Sequence, residues 1–90
     1  MSPNVVREKI AAGATIVDVR SPGEYRSGAY PGAINIPLQE LPQRLGELSK
    51  AKPIVVYCAS GGRSAAAAGV MKQAGFSDVV NGGGLIQMPR

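Results

Sequence analysis

The only cysteine in the sequence, Cys58, is followed five positions later by Arg63. The residues between them are all small: Ala59, Ser60, Gly61 and Gly62. Such residues let the backbone curl tightly and turn its N–H groups inward as a nest for an anion. A thiol in that field should ionise more easily than a free cysteine, whose pKa is about 8.5. Residues 58–64, here called the Cys58 loop, therefore predict a thiolate nucleophile beside a bound anion.

A strand and a helix must position this loop. Residues 54–57 are apolar, β-branched and aromatic, which predicts a short buried strand with Cys58 at its carboxyl end. An alanine-rich helix is predicted to begin between Gly62 and Ser64, so that its free N–H groups and positive dipole end face the loop. Open parallel sheets bind ligands at the carboxyl ends of their strands. The predicted position of Cys58 is therefore at the edge of the sheet where a substrate is expected to bind.

Arg63 is an unusual residue for the first turn of a helix, because a cation there opposes the helix dipole. A bound anion would explain its position. The structural alternative is a buried cysteine acting as a small hydrophobic residue, followed by a glycine turn and a solvated arginine. Since the strand, the loop, the helix start and the arginine agree, the functional interpretation is favoured.

Length and composition restrict the possible functions. Ninety residues predict one domain over residues 1–90, and an apolar fraction of 44% is typical of a globular fold. A net charge of +4 without a dense basic run favours small anions over nucleic acid. One cysteine excludes an internal disulfide, and the absence of histidine excludes a Cys–His dyad and a His-ligated metal.

The sequence contains no apolar run near the roughly 20 residues needed to cross a bilayer, and no signal peptide is visible. We therefore expect a cytoplasmic monomer that does not associate with a membrane. The periplasm is the alternative if a leader peptide has been removed.

The rest of the chain alternates between helical and strand patterns, which predicts an α/β fold with a parallel sheet of about four to five strands and helices on both faces. Helices are predicted from Ser2-Pro3 to Gly13, from the Ser21–Glu24 capping box to Gly28, over the leucines at 38, 41, 45 and 48, and from the Cys58 loop to Gly75-Phe76. Further strands are predicted at 15–19, in a central position, at 33–36 and at 79–80, before a glycine-rich turn at 81–84.

Three charged residues lie near the carboxyl end of the strand at 15–19: Asp18, Arg20 and Glu24. The spacing of Arg20 and Glu24 predicts an ion pair between them. Two alternatives remain open, in which Asp18 binds neighbouring loop amides and Arg20 adds a second positive charge to the site.

Several segments together resemble one known family: Ile16-Val17-Asp18-Val19-Arg20 with Glu24-Tyr25, Pro31-Gly32-Ala33-Ile34-Asn35-Ile36-Pro37, Val56-Tyr57-Cys58 with its loop, Ala74-Gly75-Phe76, and Asn81-Gly82-Gly83-Gly84-Leu85. In this order they resemble the single-domain rhodaneses, above all the short phage shock protein E type, and the likeness covers nearly the whole chain. Two features depart from the family pattern. Gly28-Ala29-Tyr30 stands in place of the usual Gly-His-Ile, and the tryptophan common after the final Gly-Gly is absent.

The resemblance implies the small three-layer rhodanese fold and a thiosulfate:acceptor sulfurtransferase without a cofactor, in which Cys58 carries a persulfide. It implies that the transferred sulfur is held by the loop, with substrate-binding residues Ala59, Ser60, Gly61, Gly62, Arg63 and Ser64. The expected partners are thiosulfate, cyanide or a thiol as acceptor, and a thioredoxin-like protein. Arg63 is expected to pair with the sulfonate oxygens.

Two other functions remain open. Cysteine phosphatases and arsenate reductases also combine a thiolate, an amide-lined loop and an arginine, but they have five residues between cysteine and arginine instead of four. A non-catalytic sulfur carrier or docking module would receive its persulfide from a partner protein and would not turn over free thiosulfate.

Overall fold

Four parallel strands form one sheet in the computed structural model, which describes residues 3–90. They are β1 (Thr15–Asp18), β2 (Ile34–Asn35), β3 (Ile54–Cys58) and β4 (Val79–Gly84), and their order in the sheet is β2-β1-β3-β4. β1 and β3 are the central strands, with Val17 opposite Val56. The predicted parallel sheet and the central position of the strand at 15–19 are confirmed.

Helices α1 (Pro3–Ala11), α2 (Pro22–Ser27), α3 (Leu41–Arg44) and α4 (Gly62–Gln73) precede or connect these strands. Gly13 follows α1 with a φ of +90°, as predicted for a glycine that ends a helix. The predicted N-cap Ser2 lies outside the described residues. No helix within residues 3–90 has the length and apolar character that crossing a membrane requires.

The core lies on both sides of the sheet, because alternate residues of a strand face opposite directions. Val56 and Cys58 of β3 belong to a buried cluster that includes residues of α4. Val55 and Tyr57 belong to a second cluster that includes Val6 of α1. Helices therefore cover both faces, which confirms the predicted α/β three-layer arrangement.

The capping box at the start of α2 forms as predicted. Ser21 Oγ accepts a hydrogen bond of 3.2 Å from the N–H of Glu24, and the Ser21 N–H donates to Glu24 Oε1 over 3.1 Å. Gly28 follows the helix, and its N–H donates to the carbonyl of Tyr25. This box fixes the position of the Glu24 side chain.

The end of α4 is also as predicted. The N–H of Phe76 donates to the carbonyl of Met71, and the N–H of Gly75 donates to the carbonyl of Lys72, over 3.0 and 3.1 Å. Gly75 has a φ of +98°. These bonds form the Schellman motif, which requires a left-handed residue at this position.

Two predicted elements are shorter than the sequence pattern suggested. The strand at 33–36 is reduced to β2, since Pro37 follows it and cannot donate to a neighbouring strand. The leucine helix is instead α3 flanked by two 3₁₀ turns, at Leu38–Glu40 and Leu45–Glu47. Pro42 lacks the N–H that would continue a helix, and Gly46 lowers helix propensity further on. Leu41 and Leu48 are nevertheless buried.

The predicted turn at residues 81–84 is wrong, because β4 continues through these residues to Gly84. Its pairing with β3 contains an irregularity: Val56 lies opposite Asn81, and Cys58 lies opposite Gly84. A Cβ at Gly84 would overlap the carbonyl oxygen of Ala59. The glycines therefore allow the backbone of β4 to lie directly against the Cys58 loop.

Candidate active site

The Cys58 sulfur lies at the carboxyl end of β3 and is surrounded by hydrogen-bond donors. Sγ accepts hydrogen bonds from the backbone N–H groups of Gly61, over 3.0 Å, and of Ser64, over 3.4 Å. The Cys58 thiol also lies 3.4 Å from Ser64 Oγ, to which it can donate its proton. The loop thus provides the inward-facing amides expected of a nest.

Two features of the backbone produce this geometry. Gly61, which precedes α4, has a φ of +98°, a conformation that favours glycine. α4 then begins at Gly62, so the N–H of Ser64 is one of the first-turn amides that have no partner within the helix. The predicted strand, loop and helix start therefore meet at the sulfur.

Burial alone would raise the pKa of the Cys58 thiol. Hydrogen bonding with the Ser64 hydroxyl and with the N–H groups of Ser64, Ser60 and Gly61 outweighs burial and lowers this pKa to about 7. A substantial share of the molecules would then carry a thiolate at neutral pH. The predicted activation needs no general base.

Cys58 itself is 0% exposed. This matches one part of the structural alternative, a cysteine buried in the core. Ala59 and Ser60, the next two residues, are exposed. A merely structural cysteine does not require a ring of donors, so burial and activation occur here together.

Asn81 of β4 is part of the site, although the sequence analysis assigned it to a turn. Its Oδ1 accepts hydrogen bonds from the Ser64 hydroxyl over 2.6 Å and from the N–H of Gly83 over 2.9 Å. Its Nδ2 donates to the carbonyl of Gly61 over 3.4 Å. Asn81 thus connects the Cys58 loop to the irregular part of β4. The feature of the sequence that could have indicated this role is the position of Asn81, a polar residue directly after the apolar pair Val79-Val80.

Arg63 is bound by a carboxylate from a different helix. Its Nη1 and Nη2 donate to Glu24 Oε1 and Oε2 over 2.8 and 3.0 Å. The Glu24 carboxylate and, more weakly, the charge of Cys58 raise the pKa of Arg63, so the guanidinium lies within electrostatic reach of the sulfur. The predicted Arg20–Glu24 ion pair is wrong.

Arg20 is paired with Asp18 instead. Its Nη2 donates to Asp18 Oδ2 over 2.6 Å and to the carbonyl of Gly28 over 2.7 Å, and its Nε contacts both carboxylate oxygens. Asp18 also accepts the N–H of Arg20 and the hydroxyl of Tyr57. The expectation that Asp18 binds a loop amide is confirmed. Arg20 adds no net positive charge to the site, because its charge is neutralised by Asp18.

The sequence matches the Rhodanese-like domain family over residues 2–84. The chain belongs to this family. The Cys58 loop therefore belongs to a rhodanese-like domain, as the resemblance of the sequence motifs implied.

Individual relatives agree with the family match. The chain is 38% identical over 78 residues to the thiosulfate sulfurtransferase PspE of Escherichia coli, covering 82% of this chain and 75% of that protein. It is 44% identical over 66 residues to the putative sulfur carrier protein YrkF of Bacillus subtilis, covering 73% of this chain and 36% of that protein. A solved structure of a rhodanese with anions from E. coli has a TM-score of 0.80 at 36% identity, covering 86% of this chain and 95% of that one. The protein is a member of the rhodanese-like sulfurtransferase family.

Tyr30, in the segment that departs from the family pattern, lies apart from the Cys58 loop. Its N–H donates to the hydroxyl of Tyr57 over 2.9 Å, and its own hydroxyl donates to the carbonyl of Pro89. With Met88 it lines a mainly apolar groove of about 450 Å³, none of whose lining residues belongs to residues 58–64. Among the described residues, no three cysteine, aspartate or glutamate side chains are grouped as a metal site would require.

Proposed function

We propose that this rhodanese-like domain transfers the sulfane sulfur of thiosulfate to cyanide or to a thiol through a persulfide on Cys58. The observation that carries the proposal is the Cys58 sulfur held by two backbone N–H donors beside the Ser64 hydroxyl, with its pKa lowered to about 7. The activity of PspE, a relative named as a thiosulfate sulfurtransferase, supports the choice of donor.

In the first step the Cys58 thiolate attacks the outer sulfur of thiosulfate. A new S–S bond forms to Cys58, the bond to the sulfonate sulfur breaks, and sulfite leaves with the electron pair. In the second step cyanide or a thiolate attacks the outer sulfur of the persulfide, and the Cys58 thiolate is released. In each step the nucleophile supplies the electron pair of the new bond and the leaving group takes the pair of the broken bond. Neither a redox cofactor nor an added proton is therefore required.

The Cys58 loop would stabilise the negative charge in both steps. The N–H groups of Gly61 and Ser64 face the sulfur, and the positive end of α4 lies at the same point. Arg63 would bind the sulfonate oxygens of thiosulfate and then the departing sulfite, because a guanidinium fork matches an oxyanion.

Access to the sulfur is a requirement of this mechanism. Since Cys58 has no exposed surface, part of its surroundings must move before thiosulfate can reach it. The Cys58 loop is suited to such a movement, because Gly61 and Gly62 can change conformation at little steric cost.

The decisive experiment compares the wild type with Cys58→Ser. We expect the wild type to gain the mass of one sulfur atom after thiosulfate treatment, a reducing thiol to remove it, and cyanide to yield thiocyanate. Cys58→Ser should lose all three properties while its circular dichroism spectrum stays unchanged, because serine is close to cysteine in size. Thiocyanate production by Cys58→Ser at the wild-type rate would refute the assignment.

A second candidate is a sulfur carrier that receives its persulfide from a protein partner. The similarity to the putative sulfur carrier protein YrkF favours it. A chain that accepts sulfur from a persulfidated protein but gains no mass from free thiosulfate would establish this function. The phosphatase-like alternative gains no support from the four-residue spacing between Cys58 and Arg63.

A further inference from the structure

Both terminal nitrogens of Arg63 donate to the same carboxylate. Nη1 and Nη2 each donate to one oxygen of the Glu24 carboxylate, over 2.8 and 3.0 Å. A sulfonate that binds this end of the guanidinium in the planar two-point manner would use the same pair of donors. Thiosulfate and Glu24 therefore compete for this end of Arg63.

Glu24 is held in place for this contact. Its Oε1 also accepts the N–H of Ser21, in the capping box at the start of α2. The cap orients the carboxylate before Arg63 is bound, so that less side-chain entropy is lost when the pair forms. Hydrogen bonds from Arg63 and then from Ser21 lower the pKa of Glu24 to about 2. The carboxylate is therefore charged at any working pH.

The pair is also able to open. Both side chains are partly exposed, and ion pairs at such positions contribute little net stability because water solvates the separated charges well. A dissolved oxyanion can therefore displace Glu24 at a moderate cost in affinity.

We propose that the Glu24 carboxylate competes with the donor oxyanion for Arg63 and thereby sets the affinity for thiosulfate. This inference rests on the proposed function. It also predicts donor discrimination, because a donor without an oxyanion does not have to displace the carboxylate. Glu24 would raise the KM for thiosulfate selectively and leave the sulfur-transfer step itself unchanged.

The test is Glu24→Gln, which removes the charge but keeps a residue suited to the capping box. We expect the KM for thiosulfate to fall about two- to fivefold, the range set by exposed ion pairs, at constant kcat. The KM for a small alkyl persulfide, which carries no oxyanion, should stay unchanged. An unchanged or increased KM for thiosulfate would overturn the inference, an increase indicating that Glu24 holds Arg63 in place for the substrate.

A matched control exists at the surface. Arg44 forms a similar two-point pair with Glu47, over 2.8 and 3.0 Å, and that pair is also partly exposed. Glu47→Gln removes the same charge without touching Arg63, so its KM for thiosulfate should equal that of the wild type. A fall equal to that of Glu24→Gln would mean that net charge alone is responsible, and would refute a specific role for Glu24.

A binding measurement separates this inference from the proposed reaction. Thiosulfate is titrated by calorimetry into Cys58→Ser with and without Glu24→Gln, and again with Arg63→Ala added. Tighter binding with Glu24→Gln, lost when Arg63 is absent, supports the competitor even if the wild type shows no turnover. Tighter binding that persists without Arg63, or no change in affinity, contradicts it.

Discussion

Two arginine–carboxylate pairs lie near the carboxyl ends of the central strands, and they differ in burial. The side chains of Arg20 and Asp18 are 8% and 0% exposed, whereas those of Arg63 and Glu24 are 40% and 36% exposed. Both pairs use two-point contacts of similar length. Their geometry alone therefore does not distinguish a structural pair from one that can bind substrate.

Burial makes the distinction. Opening the Asp18–Arg20 pair would leave a charge in a low-dielectric environment, which is costly, so this pair remains closed. It also holds Tyr57 and the Gly28 carbonyl. The Glu24–Arg63 pair loses little when water replaces one partner, so its guanidinium is available to a dissolved anion. The same kind of pair supports the fold in one place and, in the proposed mechanism, gives way to substrate in the other.

The largest effect should follow from breaking the buried pair. Asp18→Asn keeps the shape of the side chain but leaves the Arg20 charge without its counterion. We expect a loss of about 3 kcal/mol in the free energy of unfolding, measured by urea denaturation. A loss close to zero would show that Arg20 finds another partner, and the contrast between the two pairs would disappear.

Removing the exposed arginine should separate binding from stability. For Arg63→Ala we expect an urea midpoint close to that of the wild type and a rise of about tenfold or more in the KM for thiosulfate, the range for a lost charged hydrogen bond. A large loss of stability without a change in KM would assign Arg63 to the fold instead.

A smaller effect concerns the thiol. Its pKa of about 7 means that the thiolate fraction, and hence the transfer rate, rises with pH through neutrality. Ser64→Ala removes the hydroxyl that hydrogen-bonds with Cys58 Sγ, so we expect the pKa of Cys58 to rise by about one unit, equivalent to one hydrogen bond. Thiolate absorbance in the ultraviolet measures this directly and does not depend on access to the sulfur. An unchanged midpoint would indicate that the backbone amides alone activate the thiol.

The local parts of the site could be predicted because their causes lie close together in the sequence. The apolar run before Cys58, the small residues after it and the capping box at Ser21 each form within a few residues. The failed predictions involve either local breakers or distant contacts. The leucine spacing indicated a helix, but Pro42 and Gly46 interrupt it.

The ion pair of Arg63 could not be inferred from spacing. It lies 39 positions after Glu24, and their contact depends on where the fold places α2 and the start of α4. The short distance in sequence between Arg20 and Glu24 suggested a local pair. In the structure Arg20 instead turns back to Asp18 at the end of β1. Periodicity gives the face on which a residue lies, but it does not select among several partners of opposite charge.

The contact of Gly84 with the Ala59 carbonyl has a consequence for how the site can change in evolution. At this point one main chain lies directly against another, with no room for a side chain at position 84. A single methyl group there would displace the Cys58 loop, and with it the amides that face the sulfur. Variation in substrate preference is accordingly expected from the rim, at residues such as Glu24, while the floor of the site remains fixed.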